Sequence, residues 1–211
     1  MADCRKLVPI IIHWEAGVPM AGLPNDVMFE EARKKGFAND PIDNGGATMV
    51  GITLDTFKAY RKAHGKKTPT VRDLKAITYE EWYDILKTMF WDKMKADQIE
   101  NQSIANLCVN TVWGSGAGYI KAIQGVLGVK QDGIVGNITL GAINGYTPQK
   151  TLFEKLWKRR EKFFNDIVAR SVAAYEKKVG RPATEVEKLR YTQKKFLNGW
   201  LNRLRSFKYY E

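Results

Sequence analysis

Glu15 closes an apolar stretch, Leu7 to Trp14, and is followed at once by Ala16-Gly17. Cleavage of a glycosidic bond needs a protonated carboxyl group that can give its proton to the leaving oxygen. Partial burial beside apolar groups keeps that proton on the carboxyl group near neutrality. Glu15, beside Trp14 at a helix end, suits that work; a solvated helix glutamate would have the same neighbours. Asp43 lies in a glycine-rich stretch, Asp43-Asn44-Gly45-Gly46. A second carboxylate there could position water or steady positive charge at the anomeric carbon. A turn aspartate bonding its own backbone would look alike, and Asp40, before Pro41, has that reading more strongly. Gly45 and Gly46 could let backbone approach a sugar closely, or could be turn punctuation. Trp82, Trp91, Trp113, Tyr79 and Tyr83 could present flat faces to sugar rings, although aromatics at helical spacing more often build a core.

Other chemistries find few residues. His13 and His64 are the only histidines, Cys4 and Cys108 the only cysteines, and no HExxH or CxxC spacing occurs. No metal and no cofactor are therefore expected. The phosphate-cradling patterns GxxxxGK[ST] and GxGxxG are absent as well. Two cysteines so far apart read as free thiols of a reducing compartment. A net charge of +11 over 211 residues directs the chain to a polyanion: nucleic acid, an anionic membrane, or a cell wall. No RRM, KH, zinc-finger or clear helix-turn-helix pattern is present, so nucleic acid is not the expected partner. The basic stretches 150–162 and 187–208 read as solvated faces of packed helices. No apolar run approaches the roughly 18 residues of a membrane span, so no stable membrane insertion is expected. Leu7 to Ile12 is too short for a secretory signal segment. Synthesis in the cytoplasm without a signal peptide follows, with another protein responsible for export.

Positioning these residues falls mostly to helices. The pattern predicts a helix over 3–16 with Asp3 as N-cap and Leu7, Ile11 and Trp14 on one face. A loop and a short helix to Lys35 follow, then a turn-rich segment, 36–53. Val50 to Thr53 reads as a short strand, and Thr53 or Asp55 caps a helix to about His64. Thr78 and Glu81 form a capping box that opens a helix to about Met94. Further helices are expected over about 100–113, 117–127, 138–143, 148–176 and 184–205. An apolar share of 44% allows a sizeable core.

Together these segments resemble glycoside hydrolase family 108, which comprises phage-type endolysins and lysozyme-like proteins, some described as secretion activators. The family's motif is a helix ending in E-G-G-[YF], then V-N-D-P-x-D-x-G-G-x-T-x-x-G-I-T. The matching residues are Trp14-Glu15-Ala16-Gly17 and the stretch from Gly36 to Thr53, which includes Asn39-Asp40-Pro41, Asp43, Gly45-Gly46-Ala47-Thr48 and Gly51-Ile52-Thr53. Further on, Asn110 to Gly116, Ala122 to Leu127, Asp132 to Gly136, Thr139-Leu140 and Phe196 to Arg203 resemble the peptidoglycan-binding domain that accompanies the family.

The resemblance implies an α+β, predominantly helical, lysozyme-like fold. Residues 1–100 would be the catalytic part and 101–211 a helical peptidoglycan-binding-like part packed with it. The activity would be hydrolysis of the β-1,4 bond between N-acetylmuramic acid and N-acetylglucosamine of bacterial peptidoglycan. Glu15 would be the general acid, with Asp43 and Thr48 positioning water or sugar. Trp14, Asn39, Asp40, Gly45, Gly46 and Trp113 would contact the substrate. A holin or another exporter would release the protein to the wall, as for a prophage endolysin. A catalytically inactive wall-binding or secretion-associated protein is the alternative. One departure stands out. Between Glu15 and Asp43 lie residues 16–42, far more than the motif allows, so an insertion at about 18–35 is expected, as a lid or added wall of the cleft. An ungapped reading places Lys34 at the acid's position, and Glu31 is the next carboxylate to hand.

Overall fold

A computed structural model describes residues 1–20, 22–39 and 46–211. The chain divides into two compact units, Met1–Glu100 and Asn101–Glu211. The architecture is α+β with helices dominating.

In the first unit the expected N-terminal helix comes in two pieces. Asp3 caps a 3-10 turn, Cys4–Lys6, by accepting from the Arg5 N–H. Helix α1 (Val8–Ala16) then begins with Pro9 in its first turn, where the missing N–H is no loss. Gly17 ends α1 in the left-handed region, its N–H returning to the His13 carbonyl. Helix α2 (Asn25–Arg33) packs against α1 through buried Met28, Phe29 and Ala32. The Phe29 ring lies 5.4 Å from that of Trp82 and 5.8 Å from that of Tyr79. Residues 25–33 are therefore part of the core and not a lid.

Three two-residue strands follow: β1 (Phe37–Ala38), β2 (Thr48–Met49) and β3 (Ile52–Thr53). They pair antiparallel in sequence order, with Phe37 opposite Met49 and Thr48 opposite Thr53. The stretch read as one strand over 50–53 is thus the turn and second strand of a hairpin over 48–53. Its two loop residues, Val50 and Gly51, have φ of 44° and 77°, the left-handed pair that matches the twist of adjoining strands.

Thr53 caps α3 (Leu54–Ala63). A reciprocal capping box of Thr70 and Asp73 starts α4 (Val71–Lys75), in a stretch expected to be loop. Thr78 caps α5 (Tyr79–Ile85) as expected, but the Glu81 carboxylate turns to Arg61 (2.8 Å) and Lys66 (3.0 Å). Beyond Ile85 the chain loosens into a π-helical stretch, Leu86–Trp91, and a 3-10 turn, Asp92–Met94. The Thr88 hydroxyl donates to the Asp84 carbonyl at 2.7 Å, competing for the acceptor an α-helix would use there.

The second unit comprises α6 (Gln102–Ser115), a 3-10 turn (Ala117–Tyr119), α7 (Ile120–Leu127), α8 (Asn137–Asn144), α9 (Gln149–Val179), α10 (Glu185–Tyr191) and α11 (Lys194–Ser206). Buried Gln124 holds the loop after α7, donating to Asp132 and the Ile134 carbonyl and accepting from the Gly133 N–H. All buried residues of α9 lie between Leu152 and Phe164. The single helix expected over 184–205 is broken at Thr192. Its backbone is extended, and its hydroxyl donates to the Lys188 carbonyl and accepts from the Lys194 N–H. One side chain thereby ends one helix and starts the next. Among the described residues no helix is long and apolar enough to cross a membrane.

Candidate active site

Glu15 occupies the last turn of α1, half-buried, and its side chain meets the tip of the β2–β3 hairpin. The contact is close. A Cβ placed on Gly51 would fall 2.7 Å from Glu15 Cδ and 2.9 Å from Oε2. Such distances lie inside van der Waals contact, so a side chain at position 51 would be strained by its φ and would displace the Glu15 carboxyl group.

The hairpin tip is itself tied down from three sides. Val50 is fully buried, and its N–H donates to the Gly36 carbonyl at 2.9 Å. The Val50 carbonyl accepts from the indole N–H of Trp82 at 2.9 Å. Gly36 is squeezed as well: a Cβ there would lie 2.8 Å from the Ala32 carbonyl oxygen and 2.9 Å from Val50 Cγ2. The end of α2, the hairpin tip and the end of α1 thus converge at Gly36, Val50-Gly51 and Ala16. Val50 sits in the left-handed region despite its branched side chain, a strained state that the surrounding bonds must enforce.

The α1 terminus is held too. The His13 Nδ1–H donates to the Val18 carbonyl at 2.8 Å, and Lys35 Nζ to the Gly17 carbonyl at 3.4 Å. The Trp14 ring stands edge-on to that of His13 at 5.2 Å, half-exposed beside Glu15. Thr48 lies on β2, half-buried, directly opposite Thr53. Asn39 is exposed at the end of β1. Gly46 is exposed with φ of 63° and open space around it. Asp40, Asp43 and Gly45 lie outside the described residues. Trp113 stands half-buried on α6 of the second unit. Glu31, the other carboxylate considered, is exposed on α2 and paired with Lys34 at 2.5 Å.

Two of the aromatics that could have faced a sugar are core residues. Trp82 and Trp91 are fully buried, and the Trp91 indole donates to Asp97 at 2.7 Å. The residues that sequence reasoning missed are Gly51, Gly36 and Val50. The signal was present in the pattern Thr-Met-Val-Gly-Ile-Thr, where a central X-Gly pair separates two short strand-forming pairs. Valine in the first loop position hid it.

Comparison with known proteins bears on this arrangement. Residues 25–116 match the family model described as Glycosyl hydrolase 108, and residues 119–205 match the Predicted Peptidoglycan domain. The first match opens at Asn25, so α2 and the hairpin fall inside it and Glu15 precedes it. Comparison with curated proteins returns no match. Among solved structures the fold is similar to that titled Structure of Brucella abortus SagA, with a TM-score of 0.62 and 24% identity over 85% of this chain and 86% of that one. The fold is lysozyme-like. A glycosyl hydrolase 108 region and a predicted peptidoglycan domain thus follow one another along the chain, the pairing of a peptidoglycan hydrolase of the glycosidase class.

Proposed function

We propose that the chain is an N-acetylmuramidase that hydrolyses the β-1,4 bond between N-acetylmuramic acid and N-acetylglucosamine, with Glu15 as its general acid. The observation that carries this reading is the contact of Glu15 with Gly51. It sets a half-buried carboxyl group at a helix end against the rigid hairpin of the family's Gly-Ile-Thr motif. Glu15 would protonate the leaving oxygen as the glycosidic bond breaks. Thr48, on the same hairpin, and Asp43 would position water or sugar. Trp14, Asn39, Asp40, Gly45 and Gly46 would meet the glycan. Residues 1–100 would carry the chemistry and 101–211, with Trp113, the grip on the wall. Export by a holin or a dedicated system, as for an endolysin or secretion activator, would bring the protein to its substrate.

One observation favours a second reading. The matched span begins after Glu15, and in an ungapped register Lys34 takes the acid's place. An inactive wall-binding protein would follow. Digestion of purified peptidoglycan decides between the two. Wild type should release muropeptides with N-acetylmuramic acid at the reducing end, seen by mass spectrometry. Glu15→Gln should keep the fold and lose about 10²-fold or more of the rate, because the amide cannot deliver a proton. Equal lysis by wild type and Glu15→Gln would refute the assignment, and loss in Glu31→Gln alone would move it to Glu31.

A further inference from the structure

The second unit holds a pocket of about 360 Å³ built from its own residues, among them Ser115, Tyr119, Lys121, Gln131, Arg159 and Phe163. Its size falls near the low end of small-ligand sites, roughly 300–1,000 Å³. Next to its Ser115 lies Arg160, only 4% exposed. The guanidinium donates through Nη1 to Ser115 Oγ at 2.7 Å. It packs over the rings of Phe164, Tyr119 and Phe163 at 4.3, 4.9 and 5.2 Å. Its Nε is buried with no hydrogen-bond partner.

Among the described residues no carboxylate pairs with this charge. Among the described residues no ion pair reaches Arg160, Arg159 or Lys121. Burial pulls the guanidinium down to about 10, opposed by Tyr119 and reinforced by the nearby cation of Arg203. It stays charged near neutrality all the same. A buried cation without a counter-charge is costly, and the three ring faces offset only part of that cost. The Ser115 hydroxyl accepts from the guanidinium, so its own proton is left to be donated elsewhere. Ser115 is exposed, so that proton can face the pocket. Lys121 and Arg159 bring two further cations, Gln131 an amide, and Tyr119 and Phe163 apolar walls.

We propose that this pocket binds a carboxylate of a short peptide, the group carried by the peptide stems of peptidoglycan, with Arg159, Lys121 and the Ser115 hydroxyl as donors. The inference rests on the peptidoglycan reading above. Cations set beside the ring faces of Tyr119 and Phe163 in an open-mouthed pocket suit an anion attached to small apolar side chains. A polymer of phosphates would answer the cations but leave the two ring faces without an apolar partner.

Titration calorimetry on the full chain tests this with three probes: a free stem tripeptide, the same peptide with its carboxylates amidated, and a polyglycerol phosphate. None carries a sugar ring, so binding at the glycan site is not read. Wild type should bind the free tripeptide. The Lys121→Ala, Arg159→Ala double variant should bind it about tenfold or more weakly, the scale of losing charge-assisted hydrogen bonds, with an unchanged melting temperature. Amidation should weaken wild-type binding to a similar extent. Equal binding by the double variant, equal binding of the amidated peptide, no peptide binding, or binding of the phosphate polymer in its place would each overturn the proposal. Release of muropeptides by wild type is measured alongside. Glycan cleavage without peptide binding defeats the pocket alone, and peptide binding without cleavage defeats the muramidase reading alone.

Discussion

The carboxyl carbon of Glu15 lies where only a glycine at position 51 leaves it room, 2.7 Å from the place a methyl group would take. Gly51→Ala should therefore push the carboxyl group aside as well as strain the turn. Gly65→Ala serves as the control, since Gly65 has φ of 63° and nothing near it. Both variants should lose about 1–2 kcal/mol in urea denaturation, the cost of a left-handed alanine. Only Gly51→Ala should lose hydrolysis, by up to about 10²-fold for a displacement near 1 Å. Equal activity in the two would show that the contact does not position the acid.

The Trp82 indole acts on the same turn from the far side. Trp82→Phe keeps a ring against Phe29 but leaves the buried Val50 carbonyl without its donor. The expected cost is about 1–3 kcal/mol, that of an unsatisfied buried acceptor. Because Val50 adjoins Gly51, kcat on sacculi should fall while wall binding holds. A stable variant with unchanged kcat would remove the indole from the positioning of Glu15.

Helix α2 should behave as core. Phe29→Ala should cost about 3–5 kcal/mol, whereas Val27→Ala, at an exposed site of the same helix, should stay within about 0.5 kcal/mol. Deleting residues 18–35 removes Met28, Phe29 and Ala32 together, and the product should fail to fold. A folded deletion mutant with a sharp thermal transition would restore the idea of a separable lid.

The junction of α9 and α10 should depend on pH. The ammonium groups of Lys194 and Lys188 hold Glu185 down at about 2, and the Arg181 guanidinium with the Thr184 N–H does the same for Glu187. Lowered carboxylates stabilise the fold above their ordinary value of 4.5, and that contribution fades as pH falls from there toward 2. Both groups are on the surface, so salt should blunt the effect. Carbon NMR should find titration midpoints near the lowered values. The shifts from the stacked Tyr175 and Tyr191 rings, 5.4 Å apart, should collapse over the same window. Midpoints near 4.5 with intact stacking would contradict these pairings.

What the sequence discloses here follows the range of the interaction. Caps at Asp3, Thr53 and Thr78 depend on neighbours three residues away or fewer, and they stand where the pattern put them. The split at Thr192 carries no glycine or proline, and turns on a hydroxyl that bonds backward and accepts forward. The π-helical stretch after Ile85 is equally silent, since Thr88 is unremarkable until its hydroxyl finds the Asp84 carbonyl. The Glu15–Gly51 contact spans the whole segment between α1 and the hairpin. Sequence named the glutamate and the motif glycine separately, and only packing through Gly36 and Val50 joins them. The Arg160 cluster had no signal at all, because a lysine- and arginine-rich helix looks like a solvated face until one of its cations turns inward.

Helix α9 keeps its winding from Asn165 to Val179 after its last buried side chain, Phe164. At 31 residues it is a rod of about 46 Å, anchored in the core at one end and held only by part-exposed contacts at the other. Its outer turns rest on backbone hydrogen bonds and on part-exposed contacts alone: Tyr175 stacks on Tyr191, Glu176 accepts from the Ala183 N–H, and Ser171 accepts from the Gln193 N–H. They should therefore open and close as a cooperative unit of low free energy, independently of the Arg160 pocket. Amide exchange along this one helix would then fall from globally protected at Leu156 to fast near Lys177. The protein would hold a rigid half and a breathing half within a single element.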